Sequence, residues 1–182
     1  MNYIREAITQ QHIGEEAIAL RRHLHAHPDL SEQEFPTMEL VCEHLAAAGI
    51  PYERNVAESG VVGLIKGAFP GPVIALRADM DALRGQEQSG LSFRSENGCM
   101  HACGHDMHAA MLLSAAALLK RHQADLKGTV RLVFQPDEEG FTGAKSMLAA
   151  GVLKDAPSPK AALALHVNSG TPSGMVLCGR GT

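Results

Sequence analysis

The residues with the clearest chemical potential lie between Met100 and Ala109, in the sequence Met-His-Ala-Cys-Gly-His-Asp-Met-His-Ala. This stretch carries a thiol and three imidazoles, a density that few ordinary folds require. Cys103 and His105 are two positions apart, so an extended backbone would point both side chains the same way, with the permissive Gly104 between them. Thiolate and neutral imidazole suit zinc and other first-row divalent ions better than calcium or magnesium. The stretch therefore indicates a metal site.

Two further roles for this cluster stay open on these residues alone. A structural zinc site commonly uses two cysteine pairs, but Cys99 and Cys103 form one pair and no second pair follows. Cys103 could instead be a nucleophile, activated at the N-terminus of the helix that follows it. Single residues such as His12, His44 and Cys42 are accounted for more simply by packing or solvation.

Two carboxylates follow a short apolar run. Asp79 and Asp81 come just after the predicted strand 73–76, and their spacing allows both side chains to face one side. Aspartate at the end of a strand is also a common turn-former, so the pair alone does not establish a site.

Three more acids follow a second apolar strand, which we predict over 128–134. Adjacent side chains on an extended backbone diverge, so one of Glu138 and Glu139 could bind a metal while the other carries a proton. The alternative is a solvated acidic turn. A third buried strand, predicted over 161–165, delivers His166 at its end, where a satisfied core histidine is the alternative.

Apolar periodicity predicts the elements that would position these groups. Helices are expected over 14–27, 31–49, 105–121 and 142–150, and strands over 52–55, 61–65, 73–76, 128–134, 161–165 and 174–178. We expect the first two helices to be neighbours, and the N-terminus of the third to stabilise the Cys103 thiolate. The segment 84–100 is expected to be an irregular functional loop. Alternating strands and helices predict an α/β sheet with a site along its carboxyl edge.

The composition bears on the partners and the cellular compartment of the protein. The 182 residues are 45% hydrophobic and 20% charged, with a formal net charge of −4 and a sequence pI near 6.2. Nothing here favours nucleic acid or an anionic membrane as a partner, and no apolar run is long enough to span a bilayer. The four cysteines are not disulfide-dense, and the N-terminus lacks a basic start followed by an apolar run, so a reducing cytoplasm is expected.

Five segments, taken together, resemble the motifs of one enzyme family. They are Leu20–Pro28, Ala75–Leu83, His101–His108, Phe134–Gly140 and Ala164–Val167. In this order they are similar to the metal-dependent N-acyl-amino-acid amidohydrolases. That family includes hippurate hydrolases and indoleacetyl-amino-acid hydrolases, and it is related to aminoacylases and glutamate carboxypeptidases. The resemblance covers the chain from about residue 14 onward.

The resemblance implies a zinc-exopeptidase-like fold, a three-layer α/β sandwich whose mixed, mostly parallel sheet is flanked by helices. It also implies two divalent ions, manganese or zinc, and a small-molecule N-acyl amino acid as substrate. The implied metal ligands are Cys103, His105, Glu139 and His166. Glu138 would be the general base that takes a proton from water, and Asp81 would be a carboxylate that orients a ligand. The role of Asp79 stays open, because more distant relatives place a histidine ligand there.

Family members are about twice as long. The resemblance therefore implies that residues 1–182 are the N-terminal part of a catalytic domain with an incomplete sheet. A satellite dimerisation domain and the rest of the catalytic domain, with a last histidine ligand, would be absent. We expect such a chain to be weakly active or inactive alone, and the full-length form to be a homodimer. A non-catalytic fragment that binds metal or a partner, and a hydrolase that uses the Cys103 thiol, are the alternatives.

Overall fold

The computed structural model describes residues 13–154 and 157–178. His12, considered above, lies outside the described residues. The helices are α1 (Ile13–Ala26), α2 (Phe35–Ala47), α3 (His105–Arg121) and α4 (Gly143–Ala149), with a 3-10 turn over Gln123–Asp125. The strands are β1 (Tyr52–Val56), β2 (Gly60–Lys66), β3 (Phe69–Asp79), β4 (Leu83–Arg84), β5 (Cys99–Met100), β6 (Lys127–Gln135) and β7 (Ala161–Ala164). The strand predicted over 174–178 is wrong, because these residues are irregular.

The main sheet has five strands in the order β1-β2-β6-β3-β7. Strands β6, β3 and β7 are parallel, whereas β2 is antiparallel to both of its neighbours. Asp79 at the end of β3 pairs with Gln135 at the end of β6. The carboxyl ends of the parallel strands therefore share one edge of the sheet, which confirms the predicted mixed α/β sheet and places the acidic segments together.

The sheet lies between two helical layers, because side chains alternate along β6. Leu132 and Phe134 point into the core formed with α1, α2 and α3, whereas Val133 packs on the other face with Met147 of α4. Phe134 is fully buried. Its truncation to alanine would cost about 3–5 kcal/mol. The three-layer arrangement agrees with the fold that the resemblance implied.

Two details of the first helices differ from the prediction. Helix α2 begins at Phe35 rather than near Ser31, because Glu32 has a left-handed φ of 64° and Pro36 occupies the first turn of the helix. The hydroxyl of Ser31 is used elsewhere, on Asp81. The helices also do not pack chiefly on each other. Helix α1 lies on α3, and α2 contacts β1, β2 and α3.

The loop 84–100 is irregular, as predicted, apart from the short β4–β5 pair. Its Glu87 is buried, and one carboxylate oxygen lies 2.9 Å from Nε2 of His25 on α1. The other oxygen accepts a 2.7 Å hydrogen bond from the backbone N–H of Ser95. Nδ1 of His25 lies 2.8 Å from a carboxylate oxygen of Asp106, in the first turn of α3. The loop is thus tied to the two helices that border the carboxyl edge.

Strand β7 is exposed along its whole length, so the prediction of a strand over 161–165 is correct but its predicted burial is wrong. It pairs with β3 on one side only. Leu163 and Leu165 keep 56% and 53% of their surface accessible to solvent. Within the described parts of the chain, no helix combines the length and the apolar character that crossing a membrane requires.

Candidate metal centre

The thiol before α3 and the histidine after β7 meet at the carboxyl edge of the sheet. Sγ of Cys103 lies 3.4 Å from Nε2 of His166. Cys103 stands just before α3, after which Gly104 turns the chain with a left-handed φ of 85°. A Cβ at position 104 would overlap Cγ2 of Val167, so only glycine fits between the two segments.

The backbone around Cys103 is not extended, so the predicted reason for its closeness to His105 is wrong. Gly104 is left-handed and His105 is the first residue of α3. The two side chains converge nevertheless, because the turn at Gly104 brings them to one side. Ligand atoms of Cys103, His105 and His166 all lie within 4.8 Å of one another.

His105 is held so that one ring nitrogen faces the centre. Its Nδ1 lies 2.9 Å from the backbone oxygen of Asp81 and 3.1 Å from the Asp81 carboxylate, and donates to them. Nε2 therefore carries the free lone pair, as a metal ligand requires. Nε2 is buried and has no hydrogen-bond partner among the described residues. It lies 3.8 Å from a Glu138 oxygen and 3.9 Å from a Glu139 oxygen.

Asp81 links three segments around the centre. Besides its contact with His105, its Oδ2 accepts hydrogen bonds from the Ser31 hydroxyl at 2.8 Å and from the Glu139 backbone N–H at 2.9 Å. Burial raises the pKa of Asp81, but these hydrogen bonds outweigh burial and lower the pKa below its ordinary value. Asp81 is thus an ionised carboxylate that orients both His105 and the Glu139 backbone.

The two glutamates do not lie on an extended backbone, which corrects the prediction from sequence. Residues 138–141 form a turn, in which the N–H of Phe141 donates to the carbonyl of Glu138 at 3.0 Å, and Asp137 has a φ of 51°. Both carboxylates therefore approach His105 rather than diverging. Oε1 of Glu139 is buried without a hydrogen-bond partner among the described residues, whereas the Glu138 side chain is 36% exposed.

The electrostatics of the centre favour a cation. Burial, together with the neighbouring Glu139 carboxylate, raises the pKa of Cys103 to about 11. The expectation that the helix N-terminus stabilises the Cys103 thiolate is therefore wrong, because burial and the clustered acids dominate. Burial lowers the pKa of His105, but the bond to Asp81 and the nearby carboxylates outweigh it and raise the pKa. A thiol nucleophile would need a lowered pKa, so a metal site fits this environment better.

Three overlapping groups of potential ligands occur among the described residues, and every group includes His105. The first is Cys103 with His105 and His166, the second is Asp79 with His105 and His108, and the third is His105 with Glu138 and Glu139. The buried, unpartnered Nε2 of His105 and Oε1 of Glu139 are the atoms that a divalent ion would satisfy. The residues present therefore fit a metal centre of mixed sulfur, nitrogen and oxygen ligands.

His101 and Cys99 lie outside the groups of potential metal ligands. His101 is buried, and burial lowers its pKa to about 4, so its ring is neutral at physiological pH. Neither ring nitrogen of His101 has a hydrogen-bond partner among the described residues, and the residue belongs to none of the ligand groups. Cys99 also belongs to none of them. His108 was not predicted as a site residue, although its spacing of three from His105 on one helix face is a signal that could have identified it.

Comparisons with known proteins agree with this geometry. Residues 75–179 match the family described as Peptidase family M20/M25/M40. Thermostable carboxypeptidase 1 of Saccharolobus solfataricus is 44% identical over 90% of this chain and 42% of its own length. IAA-amino acid hydrolase ILR1-like 5 of Arabidopsis thaliana is 48% identical over 84% of this chain and 34% of its own length.

A solved structure, the YxeP protein of Bacillus subtilis, is described as a dinuclear metal binding peptidase from the M20 family. It is 46% identical, with a TM-score of 0.76 over 79% of this chain and 41% of its own. This chain thus spans between about one third and two fifths of the length of these relatives. Because the family match covers more than half of the chain and the sequence motifs, fold and ligand groups agree with it, the chain belongs to peptidase family M20/M25/M40.

Proposed function

We propose that this chain carries the metal-binding half of a hydrolase that cleaves the amide bond of N-acyl amino acids, yielding a carboxylic acid and an amino acid. The observation that carries the proposal is the convergence of Cys103, His105 and His166 within 4.8 Å of one another, beside two glutamates. The metal ligands would be Cys103, His105, Glu139 and His166. The name of the plant relative, an IAA-amino acid hydrolase, supports this reaction class.

Two divalent ions would occupy the centre, either manganese or zinc. A donor set of thiolate, imidazole and carboxylate accepts both of these ions, whereas calcium and magnesium prefer oxygen ligands alone. When bound, the ions would supply Lewis-acid activation of the amide carbonyl and of a water molecule.

The residues of this chain would do the remaining work. Glu138 would take the proton from water and pass it to the leaving amine, because its carboxylate is the more exposed of the two glutamates and can reach the substrate side. Asp81 would hold His105 in the tautomer that keeps Nε2 free. The loop 84–100, tied down through Glu87, would line the substrate side of the centre.

The whole protein would be longer than residues 1–182, because this chain spans between about one third and two fifths of the length of the relatives above. We propose that residues 1–182 are the N-terminal part of the catalytic domain. The remainder would add sheet strands, a last histidine ligand and a satellite domain through which the protein forms a homodimer. A cytoplasmic location would keep Cys103 reduced; the cysteines at 42, 99, 103 and 178 are all free.

The test is a substrate panel on the metal-loaded, full-length protein. Hippurate, N-acetyl amino acids and unblocked dipeptides would be compared with manganese or zinc added, and metal content would be measured on the same samples. We expect turnover of the N-acyl amino acids, loss of activity with a chelator, and about two ions per chain. Turnover of dipeptides alone would instead favour a peptidase like the Saccharolobus relative, and chelator-resistant activity abolished by thiol alkylation would reject the metal reaction.

A second candidate is a non-catalytic fragment that binds metal or a partner. The exposure of all four residues of β7 favours it, and Leu163 and the following Leu165 keep more than half of their surface accessible to solvent. This candidate predicts metal binding without turnover by residues 1–182, and association with another polypeptide in size-exclusion chromatography. Turnover by the purified 182-residue monomer would reject it.

A further inference from the structure

A chain of buried hydrogen bonds runs from β3 to the residue next to His166. NH1 of Arg77 donates to Oδ2 of Asp79 at 2.7 Å. The other oxygen of Asp79 lies 2.6 Å from Nδ1 of His108 on α3. Nε2 of His108 accepts a 3.0 Å hydrogen bond from the backbone N–H of Val167. The side chains of Asp79 and His108 are 1% and 2% exposed, so little water competes for these bonds.

These contacts fix the tautomer of His108. The backbone N–H of Val167 can only donate, so Nε2 of His108 must carry a lone pair. Nδ1 then carries the proton and donates it to Asp79. Asp79 thereby holds the imidazole in the single form that can accept from Val167.

The bond to Val167 matters because of where this residue stands. Val167 directly follows His166, and β7 ends at Ala164, so no further ladder bond of the sheet holds this segment. Among the described residues, the His166 ring makes a local hydrogen bond to the Val167 carbonyl, the contact with Cys103, and an edge-on ring contact with His108 at a centroid distance of 4.6 Å. The imidazole of His108 is therefore the group from the core that fixes the backbone beside His166.

We propose that Asp79 and His108 are positioning residues that hold the His166 segment against Cys103, and that Asp79 is not itself a metal ligand. This inference rests on the proposed metal centre and deepens it. It gives a role to Asp79, which the sequence left without one.

The rival assignment is a metal bound by Asp79, His105 and His108, whose ligand atoms lie close enough together. Both ring nitrogens of His108 are already engaged, so an ion at His108 would have to break the bond to Asp79 or to Val167. Both oxygens of Asp79 are likewise engaged, by Arg77 and His108, although Oδ2 lies 3.7 Å from Nε2 of His105. Oε1 of Glu139 and Nε2 of His105, the latter shared by all three ligand groups, have no hydrogen-bond partner among the described residues. Asp79 and His108, whose polar atoms are already hydrogen-bonded, are therefore better suited to hold the His166 segment in place, whereas the unpartnered atoms of His105 and Glu139 are better suited to bind a metal.

The first test uses two variants that each keep one half of the imidazole's hydrogen bonding. His108→Gln places an amide oxygen near Nε2 and can accept from Val167, whereas His108→Asn keeps only the donor toward Asp79. Cobalt(II) serves as the probe, because its thiolate band and ligand-field bands report on Cys103 and on the number of ligands. We expect the cobalt dissociation constant of His108→Asn to rise about 10- to 100-fold. Its spectrum should match that of His166→Ala, and His108→Gln should restore most of the affinity.

The second test measures hydrogen exchange of the Val167 amide in the metal-free chain. Protection is expected in the unaltered chain and in His108→Gln, and its loss is expected in His108→Asn. His44→Ala, an exposed histidine on α2 bonded to its own helix, is the control and should change neither readout. If the unaltered chain binds no cobalt through a thiolate, the proposed function fails, while the exchange result still decides the positioning role.

Asp79→Asn separates positioning from ligation. The asparagine oxygen can still accept from Nδ1 of His108, so a positioning role predicts unchanged cobalt stoichiometry and an intact thiolate band. Loss of a bound ion in Asp79→Asn, with His166→Ala unaffected, would overturn the inference in favour of the rival site. Equal amide protection and equal cobalt affinity in His108→Asn and the unaltered chain would overturn it as well.

Discussion

The sulfur of Cys103 lies 3.4 Å from Nε2 of His166, although 63 residues separate them in the chain. Cys103 precedes the helix α3, and His166 follows the strand β7. The fold brings them together because parallel strands deliver their carboxyl ends to one edge of the sheet, where the N-terminus of α3 also lies. The proposed metal binding at this edge would therefore depend on the meeting of two distant segments.

Removing either partner should weaken metal binding. We expect Cys103→Ser and His166→Ala each to raise the dissociation constant for zinc by about tenfold or more, and the double variant to lose less than the sum of the two free energies. Calorimetric titration of the four proteins measures this cycle. Cys99→Ser, four residues earlier and outside the ligand groups, is the matched control. Equal affinities for Cys99→Ser and Cys103→Ser would contradict the assignment.

Glu138→Gln should separate catalysis from metal binding. The amide cannot accept a proton from water, so kcat of the full-length enzyme should fall by about 10²- to 10⁴-fold, with KM and metal content nearly unchanged. Rates with an N-acetyl amino acid and metal analysis of the same samples check both parts. Glu53→Gln makes the same chemical change at an exposed residue of β1, at the opposite edge of the sheet from β7, and should behave like the parent. A large loss of bound metal in Glu138→Gln would identify Glu138 as a ligand instead.

Gly104→Ala tests the close approach of the two segments. Both Gly104 and Gly90 have left-handed φ values, of 85° and 71°, but a Cβ on Gly90 meets nothing within 4 Å. Gly90→Ala should therefore show backbone strain alone, about 1–2 kcal/mol of stability. Gly104→Ala should lose more stability, and also zinc affinity, because the methyl group displaces Val167. Denaturant unfolding and zinc titration measure the two losses, and identical results for both variants would contradict a tight contact between Gly104 and Val167.

Glu34 gives a prediction for pH. It is fully buried, with one oxygen accepting from the Asp137 N–H and the other from the Ser59 hydroxyl, both at 2.8 Å. Burial raises the pKa of Glu34 above its ordinary value, although the hydrogen bonds oppose this shift. The folded chain therefore holds the proton more tightly than the unfolded chain does. This contribution to stability is full below the unfolded pKa and is lost as the pH rises through the folded pKa.

The corresponding experiment compares Glu34→Gln with the parent across pH. The glutamine oxygen can accept from Asp137, and its amide can donate to the Ser59 hydroxyl, so both contacts survive. We expect Glu34→Gln to be the more stable protein at pH 7, with the difference in melting temperature shrinking toward pH 4. A constant difference from pH 4 to pH 7 would show that the charge of Glu34 plays no part.

The helices, the parallel strands and the closeness of the site residues were predictable from the sequence, whereas the roles of those residues stay predictions. The helix over 105–121 and the parallel strands were predictable, because apolar periodicity and short apolar runs mark them directly. The meeting of Cys103 with His166 was predictable once each polar group was placed at the end of a strand or the start of a helix. The roles implied for the ligands and for Glu138 stay predictions, supported by their proximity.

Local backbone and long-range electrostatics were not predictable. The turn at Glu138 depends on a left-handed Asp137, which no residue pattern requires. The raised pKa of Cys103 depends on burial and on Glu139, which lies far away in sequence, and these outweigh the nearby helix N-terminus. The strand predicted over 174–178 failed because a short apolar run alone does not supply a neighbouring strand.

Because β7 pairs on one side only, the order of the segment that carries His166 depends on whether the proposed metal centre is occupied. His166 follows a four-residue strand that is bonded only to β3 and is open to water on both faces, so this segment is among the least protected against local opening. An ion that binds only the closed arrangement stabilises it by a free energy that grows with ion concentration. By reciprocity, a partner that packs onto β7 and favours the same arrangement would raise ion affinity by the factor by which the ion raises the affinity for that partner, so completion of the sheet and loading of the proposed centre would be thermodynamically coupled.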